Sequence, residues 1–505
     1  MASVYVKGEK KIRPGIYNRY ENRTVTDNTG AIDGICAVPI HATSGPLEEV
    51  RLFTTSTQDD FTTMYGEGGT TDAVREMFKG GALQVYTYRL GTGGAKATAT
   101  LSDTEGTEVL GVTALYPGTQ PIYVTIRERL TNANQKELLV TGGATGTQIL
   151  EQFVFDAKAK SDAVVGDALT GEVVAGGSEE TAGVENEVDA LIKTFTETGS
   201  NYIAIEKKAD GIGELELVSS VQLSGGEDPV VTASDYSNAF NAFEPYRFNI
   251  IAADTLDDNV RALLTAYVDR IFNEGRWTMA VVGNGIDVGF STRCARASST
   301  NDALCMYVGG QFNDSTGLVE GYRCIDRIAG MAAAVPANES LVHRAIPGAV
   351  SLAENLTNSQ YETAYTSGMV AISQAADGTV WLDNAVTTLV SPGADQDDGW
   401  KKVKRVKTRL ELMDRIDRRL VPMIGQVNCT SDGISLVVQA AQDICNTMVQ
   451  EGKLLDGATV LEDPDNPATT DSLWLLVQVD DPDTLEKIYL NYQFRFSPDT
   501  VTTTA

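Results

Sequence analysis

The stretch DNVRALLTAYVDRIFNEG (residues 258–275), followed almost at once by WTMAVVG (277–283), decides the fold class. Val260, Leu263, Leu264, Tyr267, Val268 and Ile271 recur at intervals of three and four, so they form the apolar stripe of an amphipathic helix. The short run that follows is apolar without alternation, as in a strand covered on both faces. Helix followed by buried strand is α/β grammar, and the same grammar stands upstream. TDNTGAIDGICAVPI (26–40) predicts a loop and strand, TDAVREMFKGG (71–81) a helix closed by glycine, and ALQVYTYRL (82–90) a strand.

Between these stretches the texture changes. GTGGAKATATL (91–101) opens a segment rich in Gly, Thr and Ala, with strand-like pieces at 121–130, 137–141 and 215–223 and one helix near EVDALIKTF (187–195). Residues 96–216 hold nine basic and twenty acidic residues, so this β-rich segment is expected to be an inserted, solvent-facing outer domain. Downstream, helices are predicted at CIDRIAGMAAAVPAN (324–338), LTNSQYETAYTSG (356–368), LELMDRIDRRL (410–420) and SLVVQAAQDICNTMVQEG (435–452). Strands are predicted at MVAIS (369–373), TVWLD (379–383), KVKRV (402–406), SLWLLVQV (472–479) and EKIYLNYQFRF (486–496).

At 505 residues the chain is too long for one core, and about three domains are expected. The fold class expected is a multidomain α+β or α/β protein, with mixed-sheet core domains and extended strand arms at both ends. The divisions are an N-terminal arm (1–22), a core α/β domain (23–95 and 222–350), the insert (96–221) and a C-terminal domain (351–505). A net charge of -29, from 40 Lys plus Arg against 69 Asp plus Glu, argues against a nucleic-acid partner. No apolar run approaches a membrane span and no signal-type segment is found, so membrane insertion is not expected and synthesis in a cytoplasm is.

Catalytic chemistry is poorly supplied. The two histidines, His41 and His343, do not furnish a triad or a multi-histidine metal centre, and no Walker, HExxH or GxSxG motif occurs. VVGNGIDVG (281–289) does not give GxGxxG, and no helix pattern opens after it. No catalytic residue, cofactor or metal site is expected, and the protein is not expected to be an enzyme. Six cysteines without CxxC spacing are read as reduced thiols.

One electrostatic feature departs from the acidic background. Residues 401–419 (KKVKRVKTRLELMDRIDRR) carry nine basic and three acidic residues. This is either a solvated helix face, with Leu410, Met413, Ile416 and Leu420 turned inward, or a docking surface for an acidic partner.

Several stretches, in order, resemble the sheath proteins of contractile phage tails and related contractile injection systems. They are RPGIY (13–17), LYPGT (115–119), LSGGEDP (223–229), AGMAAAVPANESLVHRAIPGAV (329–350), TVWLDNAVTTL (379–389), VKRVKTRLELMDRI (403–416), IGQVN (424–428) and EKIYLNYQF (486–494). Pro229 stands where the family has glycine, and Ala385, Val386 and Thr387 where it has Gly-Ile-Asn.

The resemblance implies a subunit of stacked six-membered rings around a tail tube, contracting to drive that tube through a cell envelope. Its implied partners are other copies of itself, a tail tube protein, and baseplate and tail terminator proteins. Its implied place is a virion tail assembled in the host cytoplasm. The other expectation is a non-contractile virion shell or tail-decorating protein.

The resemblance further implies strand exchange between neighbours through Val4, Tyr5, Val6, Ile488, Leu490, Tyr492, Phe494 and Phe496. The candidate tube-facing residues are Lys401, Lys402, Lys404, Arg405, Lys407, Arg409, Arg415, Arg418 and Arg419, with helix 434–451 as the alternative. Cys36 and Cys429 are the candidates for an inter-chain disulfide in an oxidising exterior. The final strand is expected to pair first with SLWLLVQV in a local hairpin, leaving an overhang from Tyr492 onward.

Overall fold

The computed structural model describes residues 3–4, 17–18, 33–143, 146–158 and 184–494. Its helices are α1 (Gln58–Tyr65), α2 (Asp72–Gly80), α3 (Glu187–Thr198), α4 (Ala233–Phe243) and α5 (Asp258–Asn273). They continue with α6 (Phe290–Thr300), α7 (Tyr322–Ala334), α8 (Asn358–Thr366), α9 (Val403–Leu420) and α10 (Ser431–Gln450).

The mixed α/β architecture expected from the sequence is present. Its centre is a seven-stranded sheet in the order Met369–Val370, Cys305–Val308, Met279–Gly283, Ile250–Ile251, Ile35–Ile40, Gln84–Arg89, Val50–Thr54. Every pairing is parallel except that of Val50–Thr54 with Gln84–Arg89. Such a sheet needs cover on both faces, and the strand Met279–Gly283 is accordingly buried at all five positions. α5 buries Val260, Leu264, Tyr267, Val268 and Ile271, the stripe its spacing predicts.

α2 and α7 cross closely because both carry glycine at the contact. A Cβ on Gly80 would lie 2.1 Å from the Arg327 carbonyl oxygen, and one on Gly330 would lie 2.0 Å from that of Met77. Beside the crossing, the buried Arg327 guanidinium pairs with Glu76 and, at 3.0 Å, with Asp314. The arginine's burial is thereby matched by two carboxylates.

Described residues between Ala97 and Leu223 supply a second hydrophobic cluster. An antiparallel four-stranded sheet (Gln148–Asp156, Asn132–Gly142, Ile122–Arg129, Val218–Gln222) and a three-stranded one (Ile203–Lys207, Glu108–Ala114, Thr98–Ser102) enclose it together with α3. The chain leaves and re-enters the core as a paired ribbon, bridged at Thr92 with Val230, Ala95 with Glu227 and Thr98 with Ser224.

Several local expectations are corrected. Residues beyond 350 continue the core: Met369–Val370 is a strand of the main sheet, and Val403, Val406 and Leu410 belong to the same hydrophobic cluster. A separate third cluster begins only with Leu412 and joins α9 to α10 and the hairpin Thr459–Glu462 with Leu475–Gln478. KVKRV is the start of α9, since Val403, Val406 and Leu410 recur at helical intervals that a five-residue window hides. A helix does open after VVGNGIDVG, as α6, with Arg293, Cys294 and Ala297 buried. Its polar composition, FSTRCARASST, conceals that stripe.

The C-terminal expectation also changes. Leu475–Gln478 pairs with Thr459–Glu462, and among the described residues, 481–494 form no strand. At the other end Ser3–Val4 pairs in parallel with Tyr17–Asn18, while Tyr5, Val6 and Phe496 lie outside the described residues.

Candidate functional site

Two regions of the fold gather polar and charged side chains: the sheet's switch point and the surroundings of α9. In open α/β sheets, ligands bind at the carboxyl ends of the strands where strand order reverses. Here that point lies between Ile35–Ile40 and Ile250–Ile251, and the residues just beyond them are His41 and Asp254. The buried Asp254 carboxylate accepts hydrogen bonds from the His41 amide (3.1 Å), Tyr236 Oη (2.7 Å) and Thr70 Oγ1, and faces His41 Nδ1 at 2.6 Å.

Burial would lower the His41 pKa, but the hydrogen bond and charge of Asp254 outweigh it, so the pKa is raised. Nearby Asp326 is fully buried and neither of its oxygens has a hydrogen-bond partner. Burial, with the charges of Asp254 and Glu76, pushes its pKa well above the carboxylate range. The switch point is thus occupied by a network that consumes its own donors. Among the described residues no group of three His, Cys, Asp or Glu side chains is arranged to hold a metal ion.

Around α9 the basic residues behave differently from a free docking surface. Lys404, Lys407 and Arg415 are buried, which takes them out of any docking surface of the folded subunit. Lys407 Nζ donates to the Ala332 carbonyl (2.6 Å) and to that of Val335, closing the C-terminal end of α7. Burial lowers the Lys407 pKa to about 8, against the opposing influence of Asp33 and Glu411. Arg415 pairs with Glu451 (2.8 Å) and Glu411 (2.5 Å), and Arg418 with Asp414 (2.6 Å).

The remaining contacts converge on two acidic segments that sequence reasoning missed. Arg405 grips Asp481 in a fork, Nε to Oδ2 at 2.9 Å and Nη2 to Oδ1 at 2.7 Å. Arg409 reaches the same carboxylate (3.0 Å) and also Asp397 (2.7 Å). Lys402 pairs with Glu486, Lys401 with Asp398 (2.9 Å), and Lys404 Nζ donates to the Pro482 carbonyl. Arg419 is exposed.

A signal was available. Lys402, Arg405 and Arg409 lie on one helical face, and DDPDTLE (480–486) is a compact acidic run.

Beyond that run the chain exposes Ile488 (72 %), Leu490 (69 %), Tyr492 (71 %) and Phe494 (94 %). Isolated exposed apolar residues are ordinary, but four in one unpaired segment are not. Cys36 sits at the centre of the main sheet, wholly buried, so it cannot cross-link a neighbour. Cys429 is exposed, just before α10, and its thiol donates to the Thr469 carbonyl at 3.0 Å. His343 stacks on Trp381 with centroids 4.5 Å apart, a packing role.

Comparison with known proteins fits this architecture. Among solved structures, the sheath tail protein of Desulfitobacterium hafniense aligns with a TM-score of 0.67 at 19 % identity, over 95 % of this chain and 100 % of that one. A sheath tail protein of Listeria innocua aligns at 0.65 and 18 %, over 90 % and 96 %. The helical sheath of the anti-feeding prophage in its contracted state aligns at 0.50 and 11 %, over 96 % and 99 %.

The fold is therefore that of tail sheath proteins. Residues 230–388 match the family described as phage tail sheath protein central domain, the span from the return of the insert through the far edge of the main sheet. In sequence the chain is 23 % identical to the phage-like element PBSX protein XkdK of Bacillus subtilis, over 97 % of this chain and 98 % of that protein. It is 22 % identical to the uncharacterized protein YqbK of the same organism, over 97 % and 99 %.

Proposed function

We propose that the protein is a structural subunit of a contractile tail sheath. It stacks as six-membered rings in a helical polymer around an inner tail tube and shortens to drive that tube through a target envelope. Its partners are copies of itself, the tube protein, and the baseplate and terminator proteins at the polymer's ends. It works in the tail of a particle assembled in the host cytoplasm.

The observation that carries this reading is the exposed segment 488–494, whose alternating apolar side chains and unpaired backbone are suited to completing a neighbour's sheet. A head-to-tail contact of that kind gives rings where its rotation closes and an open helix where it does not. A non-contractile shell or tail-decorating protein has no such need of a β-prone arm. Val4, on the short pair near the N-terminus, is the described part of the complementary arm. Cys429 is the thiol placed for an inter-subunit disulfide, and non-reducing gels of purified tails showing only monomer would remove it.

The test is to express the full chain alone and image it by negative-stain electron microscopy across a concentration series. Tubes of uniform width are expected. Particles that stay monomeric at every concentration contradict the proposal.

A further inference from the structure

Three basic residues at the start of α9, Lys402 at its N-cap with Arg405 and Arg409, pair with Asp481 and Glu486 of the acidic stem 480–486 inside one subunit. Asp481, only 9 % exposed, receives both Arg405 and Arg409, and Arg409 also lies against the Trp400 ring at 4.9 Å. Glu486 is held by Lys402, whose ammonium lies 5.6 Å from the Tyr365 ring centroid on α8. Lys487 stands over that same ring at 5.6 Å, and immediately beyond it the exposed apolar segment begins. Forked arginine pairs on a nearly buried carboxylate belong to the strong class of ion pair, unlike solvent-exposed single contacts.

We propose that the first half of α9 is an intramolecular clamp that grips the stem and fixes the direction in which residues 488–494 leave the subunit. This rests on the reading of 488–494 as an arm that enters a second copy of the chain. An arm already aimed loses less conformational freedom on docking than a free tail, so the clamp favours one assembly geometry over others. The first half of the basic stretch thus serves self-assembly by meeting its acidic partner within the chain.

Burial alone would raise the Asp481 pKa, but the hydrogen bonds of Arg405 and Arg409 outweigh it and hold the carboxyl below its usual range. The clamp therefore stays charged at neutral pH. Asp397, Asp483, Glu486, Lys402 and Lys404 are the other charged groups around it.

The test uses the full-length chain, kept dilute and unassembled, with Asp481→Asn and the pair Arg405→Gln/Arg409→Gln measured separately. Hydrogen exchange at the Leu455 amide, which donates to the stem's Asp480 carbonyl at 2.9 Å, is expected to quicken about tenfold in both variants, with the core strand 279–283 unchanged. High salt is expected to quicken exchange at that amide in the native chain and to add little in the variants. Polymerisation of either variant is then expected to slow about tenfold or yield tubes of mixed width.

Exchange at Leu455 unchanged in both variants overturns the clamp, whatever becomes of the arm. Quickened exchange with polymerisation unaltered overturns its role in assembly. Failure of the arm reading itself shows separately, as native protein that never polymerises.

Discussion

Two apolar, β-prone stretches of this chain meet opposite environments. Met279–Gly283 is buried throughout, flanked by parallel strands on both edges and covered by helices including α5 and α7. Residues 488–494 are comparably apolar on one face, yet they are exposed and make no backbone ladder. The first stretch finds its partners inside the fold. The second has none among the described residues, and Leu475–Gln478, its expected hairpin partner, is paired with Thr459–Glu462. Apolar content thus marks where a surface will be buried, but not whether the same molecule buries it.

That contrast can be broken at the core end first. Gly330→Ala places a methyl 2.0 Å from the Met77 carbonyl oxygen and must push α2 and α7 apart. Unfolding stability is expected to fall by about 4 kcal/mol, at the upper end of single substitutions. Denaturant titration of the unassembled subunit measures it.

Lys407 gives a smaller effect with a defined sign. Between about pH 8 and its ordinary 10.5, the unfolded chain holds a proton that the folded lysine has released. Unfolding then takes up a proton, so this group's contribution to stability rises with pH in that window. The stability of the native chain minus that of Lys407→Met is expected to grow by up to about 1.4 kcal/mol per pH unit across it. A flat difference contradicts the buried-lysine account.

The arm lies at the other extreme. Ile488→Ser with Leu490→Ser is expected to change subunit stability by less than about 0.5 kcal/mol, since both side chains already face solvent. The same pair is expected to abolish polymerisation, which light scattering reports. A large loss of subunit stability would mean the segment packs at home.

Much of the core was legible from sequence because buried parallel strands and amphipathic helices write strong local patterns, as at 258–283. The failures share a cause: short windows cannot show which neighbour a segment finds. KVKRV holds only two apolar residues, Val403 and Val406, too few to set a period, and it is the N-cap and first turn of an eighteen-residue helix. α6 hides its buried stripe among Ser, Thr and Arg. Of the candidate assembly residues, the exposed face of 488–494 was legible as an alternation. The burial of Lys404, Lys407 and Arg415 was not, because it depends on the carbonyl of Pro482, the end of α7 and the carboxylates of Glu411 and Glu451.

The most direct test of the central claim is removal of residues 487–505 from the full chain, followed by electron microscopy and denaturant unfolding of the same preparation. The account predicts a subunit that unfolds with native cooperativity and stability but forms no tubes. Tubes indistinguishable from those of the intact chain would contradict it.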